Sequence, residues 1–299
     1  MKLKGIMPAL VTPLNEDESI NCAVLGELIE DLLNGGADGF YVAGATGEGL
    51  ALRPSERRVL AEEAIRIVGH RKPCIVQVAS TDFNEAIALA KHAEHCGADA
   101  ISATPPLFFQ YDEDDVYNYY KALANAIHIP LMIYYNLAAG FFMNAKFAAR
   151  AFEIDNVTAI KWTSSDYFQM MELKRLTQGE MNIINGPDEM LLMGLSAGAD
   201  GGIGTTYNFM LDLVRGVYDC FMEGNLDAAR EYQLKMTEII SALKQDSIIP
   251  ATKAVLEEMG YRVGNASFPM KRYSDAERKM MIDRLKAAGL VLTHGCATK

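Results

Sequence analysis

Short apolar runs alternate with amphipathic stretches along the first 222 residues of the chain. The apolar runs are bounded by glycine, asparagine or aspartate, as is typical of buried strands. The stretches between them carry apolar residues three and four positions apart, as in 21–34, and this spacing predicts helices. The pattern predicts eight strands, at about 6–11, 39–43, 74–79, 100–103, 131–135, 157–163, 181–185 and 199–203.

The alternation of these strands with helices predicts an α/β fold with a parallel sheet. Eight strand–helix units of this size, joined by short connections, indicate a closed (β/α)8 TIM barrel. The tripeptide Gly-Ala-Asp recurs at 36–38, 97–99 and 198–200, where a helix is followed by a strand, and the glycine suits a helix C-cap. Three more helices are predicted at about 225–243, 247–259 and 274–288, with no strand after them. We therefore predict a barrel domain, residues 1–222, and a C-terminal helical region, residues 223–299.

Composition narrows the functional class. Half of the 299 residues are hydrophobic and 22% are charged, as in an ordinary globular enzyme. The net charge of −11 argues against a nucleic acid partner. The sequence has no apolar run of ~20 residues and does not open as a signal peptide, so no membrane span is expected. Five cysteines without a Cys-x-x-Cys motif (Cys22, Cys74, Cys96, Cys220 and Cys296) predict reduced thiols in a cytoplasmic protein.

Lys161 stands out because it lies at the C-terminal end of the apolar run 157–163. A charged amine is costly to bury, so this position favours the neutral amine, which attacks carbonyl carbons to form a Schiff base. The alternative interpretation is a lysine that extends from the strand end into water.

The active site of a TIM barrel lies at the C-terminal ends of its strands, and this rule selects the other candidates. The backbone N–H groups of Ala45 and Thr46 and the Thr46 hydroxyl could hold a carboxylate, although such a turn is also common structure. A tyrosine in Tyr134-Tyr135-Asn136 could carry protons or belong to the core. At the end of strand six, Thr163 lies two residues beyond Lys161 and therefore on the same face. After strand seven, Asp188 and Glu189 could accept hydroxyls of a polyol, although they could also begin a capped helix.

The sequence suggests two further binding sites, one for phosphate and one for a metal ion. The glycine-rich turn at 201–205 resembles those that hold phosphate in other barrels, so phosphate binding is a competing hypothesis. His92, His95 and Cys96 share a helical face that would suit a metal. That face lies at the end of the barrel opposite the expected site, so we predict no metal site there.

Several of these motifs together resemble the N-acetylneuraminate lyase / dihydrodipicolinate synthase family. They are Gly44-Ala45-Thr46-Gly47-Glu48, Tyr135-Asn136, Ile160-Lys161 and residues 185–208. The resemblance covers nearly the whole chain. It is greatest to the sialic acid lyase branch, through Lys161-Trp162-Thr163-Ser164 and Asn185-Gly186-Pro187-Asp188-Glu189.

This resemblance implies a pyruvate-dependent class I aldolase, without a cofactor, that forms homotetramers. Lys161 would form the Schiff base, Tyr135 would carry protons, and Ala45 and Thr46 would bind the pyruvate carboxylate. The hydroxyls of the aldehyde part would be held by Thr163, Gly186, Asp188, Glu189, Gly204 and Thr205. The expected reaction is cleavage or formation of a 2-keto-3-deoxy sugar acid, as in conversion of N-acetylneuraminate to N-acetylmannosamine and pyruvate.

The chain departs from the family pattern at three places. Ala45 replaces a serine or threonine, Phe108-Phe109 replaces a Tyr-Tyr pair, and Leu137 stands where the synthase branch has an arginine. The missing arginine argues against condensation of pyruvate with aspartate semialdehyde, which is kept as an alternative. A non-catalytic ligand-binding relative, suggested by Ala45 and Phe109, is the other alternative.

Overall fold

Eight parallel strands curl into a barrel in the computed structural model, which describes residues 2–293. The strands are β1 (Gly5–Pro8), β2 (Phe40–Val42), β3 (Cys74–Gln77), β4 (Ala100–Ala103), β5 (Leu131–Asn136), β6 (Val157–Thr163), β7 (Asn182–Asn185) and β8 (Gly201–Gly204). They are hydrogen-bonded in the order β1-β8-β7-β6-β5-β4-β3-β2, and a parallel bridge from Ala9 to Tyr41 joins its two ends. The predicted (β/α)8 barrel is confirmed.

A helix follows every strand and covers the outside of the barrel. These helices are α1 (Cys22–Asn34), α2 (Pro54–Val68), α3 (Phe83–His95), α4 (Glu113–Ala124), α5 (Ala145–Phe152), α6 (Tyr167–Leu176), α7 (Leu191–Ser196) and α8 (Leu211–Met222). The predicted boundaries differ most at two places. β1 stops at Pro8, because Leu10 turns from β8 and donates its N–H to Tyr41 O, 2.9 Å away. Residues 188–190 form a 3₁₀ helix before α7 begins.

Side chains alternate along each strand and form two apolar layers. The layer inside the barrel includes Met7, Tyr41, Met132, Tyr134 and Ile184. The layer between the strands and the helices includes Phe40, Val42, Ile133, Tyr135 and Trp162. Adjacent residues of one strand therefore lie in different environments, and this separates two neighbouring tyrosines in the active site.

The three Gly-Ala-Asp turns share one hydrogen-bonded structure. Their glycines adopt the left-handed conformation, with φ of 90°, 90° and 97° at Gly36, Gly97 and Gly198. Each aspartate then joins the strand that it begins to the strand beside it. Each aspartate forms two hydrogen bonds with the backbone of a single residue on that strand. The aspartate N–H donates to the carbonyl of that residue, and the aspartate Oδ2 accepts its N–H. The pairs are Asp38–Ile6, Asp99–Cys74 and Asp200–Ile183. The turns thus connect neighbouring strands at the N-terminal end of the barrel.

Three helices follow the barrel, as predicted: α9 (Leu226–Leu243), α10 (Ile248–Glu258) and α11 (Asp275–Ala287). The boundary predicted at residues 222 and 223 falls between α8 and α9. Helix α9 packs on α8 and on the 3₁₀ helix 188–190. Its buried Gln233 accepts the N–H of Leu192 at 2.9 Å and donates to the carbonyl of Asp188 at 3.4 Å. The C-terminal region therefore contacts the loop after β7 directly.

The cysteines in the described part of the chain, Cys22, Cys74, Cys96 and Cys220, are free thiols. Cys296, which was also predicted to be reduced, lies outside the described residues. Between residues 2 and 293, no helix combines the length and the hydropathy that a membrane crossing requires.

Candidate active site

Lys161 lies inside the barrel, near the C-terminal end of β6. Tyr134 and Ile184 are its register partners on the two neighbouring strands. The residue is only 6% exposed, so the alternative of a lysine that extends into water does not hold. Its Nζ lies 4.3 Å from the ring centroid of Tyr134 and 4.9 Å from that of Tyr41. Aromatic faces attract cations, so the two rings can stabilise a cationic intermediate that forms at this position.

Tyr41 of β2 is held in place by residues of β4 and β5, which do not neighbour β2 in the barrel. Its hydroxyl donates a hydrogen bond to Ser102 Oγ at 3.0 Å, and its ring packs edge-on against Tyr134, with centroids 5.9 Å apart. Burial raises the pKa of the Tyr41 phenol well above its usual value. The ring therefore stays neutral at physiological pH and adds no negative charge beside the lysine.

The two tyrosines at the end of β5 face opposite layers. Tyr134 points into the barrel and contacts the Lys161 amine. Tyr135 points outward, and its ring packs edge-on against Trp162 with centroids 4.7 Å apart. Burial raises the pKa of the Tyr135 phenol, whereas hydrogen bonds with the Met143 backbone and the Ser164 side chain lower it. The structure thus brings Tyr134 to the amine, and not Tyr135, to which the family resemblance assigned proton transfer.

The loop after β2 carries Ala45 and Thr46, the residues predicted to hold a carboxylate. Thr46 is buried, and its Oγ1 lies 2.7 Å from Thr205 Oγ1, so the loops after β2 and β8 touch. Ala45 is exposed and lines a cavity of about 280 Å³, together with Gln77, Thr104 and Tyr134. The Thr104 hydroxyl is buried with no hydrogen-bond partner in the described part of the protein. A bound ligand would satisfy it, which favours a binding role for this first cavity.

A second cavity, of about 460 Å³, opens beside the ends of β6, β7 and β8. Most residues predicted to hold hydroxyls line it, namely Thr163, Gly186, Asp188, Glu189 and Thr205. Thr163 Oγ1 is buried and unpartnered within residues 2–293. Asn136 lines both cavities, and its amide donates to the Tyr134 hydroxyl at 3.3 Å. The two cavities therefore meet near the residues that surround Lys161.

Asp188 is already hydrogen-bonded to the protein. Its Oδ2 accepts the N–H and the hydroxyl of Thr206, at 2.8 and 2.7 Å. Burial raises the pKa of Asp188 to about 6, although the Thr206 donors and the charge of Lys161 oppose the shift. Gly204 does not line the cavity. A Cβ at this position would lie 2.3 Å from Asp188 Oδ1, so glycine makes room for the carboxylate.

This arrangement disfavours phosphate at the glycine-rich turn. The Thr206 donors, which a phosphate would need, are bound by Asp188, and a carboxylate beside Gly204 would repel a phosphate. A Cβ at Gly201 would lie 2.1 Å from Gly5 O, so this glycine is required for strand packing.

Lys244 is a site residue that the sequence did not reveal. It follows α9, lines the second cavity together with Leu137, and forms an ion pair with Glu189. The pattern of residues 225–243 predicted the helix that ends beside it. Only the docking of α9 on the barrel shows that a cation enters this cavity.

The departures from the family pattern lie in different places. Ala45 lines the first cavity, so the hydroxyl of the usual serine is absent from this cavity. Phe109 is 69% exposed and lines neither cavity. His92 and Cys96, set aside as metal ligands, lie at the end of α3, with a ring nitrogen 3.7 Å from Sγ. Among residues 2–293, no three histidine, cysteine, aspartate or glutamate side chains are grouped closely enough to hold a metal ion.

Comparisons with known proteins identify the family. The sequence pattern of the dihydrodipicolinate synthetase family matches residues 2–288. The chain belongs to this family. N-acetylneuraminate lyase of Rhizobium meliloti (strain 1021) is 34% identical over 277 residues, which are 93% of this chain and 92% of that relative.

Solved structures agree. Proteus mirabilis N-acetylneuraminate lyase superposes with a TM-score of 0.92 at 27% identity, over 97% of this chain and 100% of its own. CdNal from Clostridium difficile, in complex with mannosamine, gives a TM-score of 0.92 at 28% identity, over 96% and 100%. The prediction of a carbon–carbon lyase of the aldolase type is confirmed by this family membership and these relatives.

Proposed function

We propose that the chain cleaves, or forms, a 2-keto-3-deoxy sugar acid through a Schiff base of Lys161, with the keto carbon of the sugar acid in cleavage and with that of pyruvate in synthesis. The observation that carries this proposal is the position of the Lys161 amine. It is buried at the C-terminal end of a barrel strand, with its nitrogen 4.3 Å from the Tyr134 ring that lines the first cavity. Two similar proteins, from Rhizobium meliloti and Clostridium perfringens, are named N-acetylneuraminate lyase, which supports this reaction class.

The chemistry begins when the Lys161 nitrogen attacks the keto carbon and water leaves, which forms a protonated imine. In cleavage, a base takes the C4 hydroxyl proton, the C3–C4 bond breaks, and its electron pair moves towards the imine nitrogen. The aldehyde leaves, and the enamine that remains takes a proton at C3. Water then hydrolyses the imine and releases pyruvate and the free lysine. The rings of Tyr41 and Tyr134 stabilise the cationic imine on this path.

Tyr134 is our candidate for the proton carrier. Its ring contacts the amine, and its hydroxyl accepts from Asn136 and is therefore oriented. Tyr135 would instead pack on Trp162 in the outer layer and hold Ser164, which lines the second cavity. Ala45 and Thr46 would bind the pyruvate carboxylate through their N–H groups and the Thr46 hydroxyl, since they lie in the loop between the first cavity and Thr205.

The second cavity favours a neutral, hydroxylated aldehyde. Its Thr163 and Thr205 hydroxyls, the Gly186 backbone, Asp188 and Glu189 can hydrogen-bond hydroxyls, and a site built in this way rejects analogues that lack them. The negative charge of Asp188 would repel a second carboxylate on the substrate. Lys244 is already paired with Glu189, so no free cation remains among the described residues that line this cavity. This supports a sugar acid over the condensation of pyruvate with aspartate semialdehyde.

We further propose a homotetramer, with small molecules as its ligands and no nucleic acid partner. Two separate apolar surfaces support self-association. Phe108 and Phe109 are 90% and 69% exposed in the loop after β4, and Phe168 and Met171 are 72% and 58% exposed on one face of α6. Large exposed apolar side chains mark interaction surfaces, and two distinct symmetric contacts suffice to build a tetramer. The cytoplasmic location expected from the cysteines stays a prediction.

A panel assay of pyruvate release tests the substrate class. It would compare N-acetylneuraminate with shorter 2-keto-3-deoxy sugar acids, and would measure condensation of pyruvate with aspartate semialdehyde alongside them. We expect the highest turnover with a sugar acid. Faster turnover with the semialdehyde than with any sugar acid would overturn the proposed substrate class.

A further inference from the structure

Glu48 and Lys253 form a buried ion pair that the proposed chemistry does not use. Glu48 Oε1 lies 2.7 Å from Lys253 Nζ, and the two side chains are 0% and 2% exposed. The other oxygen of Glu48 accepts the N–H of Ser267 at 2.6 Å, and Lys253 Nζ donates to the carbonyl of Asn265 at 2.9 Å. Glu48 belongs to the loop after β2, whereas Lys253, Asn265 and Ser267 belong to the C-terminal helical region. The pair therefore joins the two parts of the chain.

Stability alone does not account for such a pair. Moving two charges out of water carries a large desolvation cost, and well-packed apolar residues in the same place are often as stable or more so. An ion pair whose two members also form hydrogen bonds holds each charged side chain in a defined position. The group positioned here is Glu48, which lies two residues after Thr46 in the loop that is proposed to bind the pyruvate carboxylate.

That loop adopts a conformation that needs support from outside. Ala43 and Glu48 have φ of 57° and 58°, in the left-handed region that residues with a side chain rarely occupy. Such conformations persist only where the surrounding structure holds them. The loop also packs tightly on itself, because a Cβ at Gly49 would lie 1.8 Å from Ala43 O. Ala45 and Thr46 lie between these two left-handed residues, so their direction depends on both.

We propose that Lys253, acting through Glu48, is a positioning residue that holds the Ala45 and Thr46 donors in the geometry that binds the pyruvate carboxylate. The C-terminal helical region is then part of the active site. The proposal deepens the proposed function and rests on it. Lys253 touches no reacting atom, and its effect is on pyruvate binding rather than on the nucleophile.

The test is the pyruvate concentration that half-saturates borohydride trapping of the full-length protein. The variants are Lys253→Met and the double variant Glu48→Gln/Lys253→Met, in which no unpaired charge is buried. Lys174→Met is the matched control. It breaks a half-buried pair, with Lys174 Nζ 3.1 Å from Asp200 Oδ2, at the opposite end of the barrel. Thermal unfolding of each variant is recorded in parallel.

We expect the half-saturating pyruvate concentration to rise ~10-fold or more in Lys253→Met, since a small misplacement of binding groups has effects of up to ~100-fold. The double variant should recover thermal stability but keep the raised value, and Lys174→Met should bind pyruvate like wild type. If Lys253→Met does not fold, the double variant carries the comparison.

A half-saturating concentration like that of wild type in the double variant would overturn the positioning role, since the pair would then act through stability alone. If wild-type protein traps no pyruvate at any concentration, the proposed function itself fails, and the inference fails with it. If wild-type protein traps pyruvate and the variants have the same half-saturating concentration, only the inference about Lys253 is overturned.

Discussion

At the scale of single residues, the two tyrosines at the end of β5 make different contacts. Tyr134→Phe should lower the rate of sugar acid cleavage by ~10²–10⁴-fold, because it removes the hydroxyl proposed to carry protons beside Lys161. The matched variant Tyr135→Phe should retain most of the activity. The free energy of unfolding of this variant should instead fall by about 1 kcal/mol, because the hydroxyl that bonds to the Met143 backbone and the Ser164 side chain is removed. Steady-state kinetics and urea unfolding of both variants measure this. Loss of activity in Tyr135→Phe alone would contradict the assignment.

The sequence could not resolve this pair of residues. The two tyrosines are adjacent in sequence, and both precede Asn136. A shift of one residue in a strand moves each side chain to the opposite face, so the pattern alone does not show which tyrosine faces the amine. The β5–β6 register places Tyr134 opposite Lys161 and Tyr135 opposite Trp162, and this supports the proposed role of Tyr134. That Lys161 and Thr163 lie on one face of β6 could be predicted, because side chains two residues apart on a strand point to the same side.

Asp188 should make stability depend on pH. Its pKa in the folded protein is about 6, above the ordinary 3.8, so between these values the folded state holds a proton that the unfolded chain releases. The free energy of unfolding therefore falls as pH rises from about 4 to about 6, by up to roughly 3 kcal/mol from this group. Asp188→Asn keeps an acceptor for Thr206 and should lose this contribution. Urea unfolding across that range tests it, and equal pH slopes for the two proteins would contradict it.

At the scale of elements, the end of α9 contributes to the second cavity. Lys244→Met leaves Glu189 without its cation, so the KM for the sugar acid should rise about 1.4- to 5-fold, as expected for a pair worth ~0.2–1 kcal/mol. Pyruvate trapping should not change, because Lys244 lines only the second cavity of the two. Lys235→Met, also on α9 but over the Tyr232 ring, is the control. An unchanged KM in Lys244→Met would show that the pair has no part in substrate binding.

Element boundaries were predictable where local chemistry sets them. The glycines of the Gly-Ala-Asp turns mark helix ends that the structure confirms. The role of their aspartates was not predictable, because each binds a residue of another strand, as Asp38 binds Ile6. The position of Lys244 was missed for the same reason, since it depends on how α9 packs on the barrel. The pattern of apolar and polar residues along the chain does not show which elements distant in sequence make contact.

At the scale of the whole molecule, the two exposed apolar surfaces should control assembly. Phe168→Glu and Phe109→Glu each place a charge in one surface, and burial of an unpaired charge is costly, so each should reduce the tetramer to dimers. Light scattering coupled to size exclusion gives the mass directly. A monomeric wild type, or variants that keep the mass of wild type, would contradict the proposed assembly.

The central claim is that Lys161 is the nucleophile, and borohydride reduction in the presence of pyruvate tests it most directly. Wild-type protein should gain one reduced pyruvate adduct by intact mass, and peptide mapping should place it on Lys161. Lys161→Met should gain none, whereas Lys174→Met, which removes a lysine at the other end of the barrel, should be labelled like wild type. No adduct on wild type, or an adduct that persists on another lysine in Lys161→Met, would contradict the account.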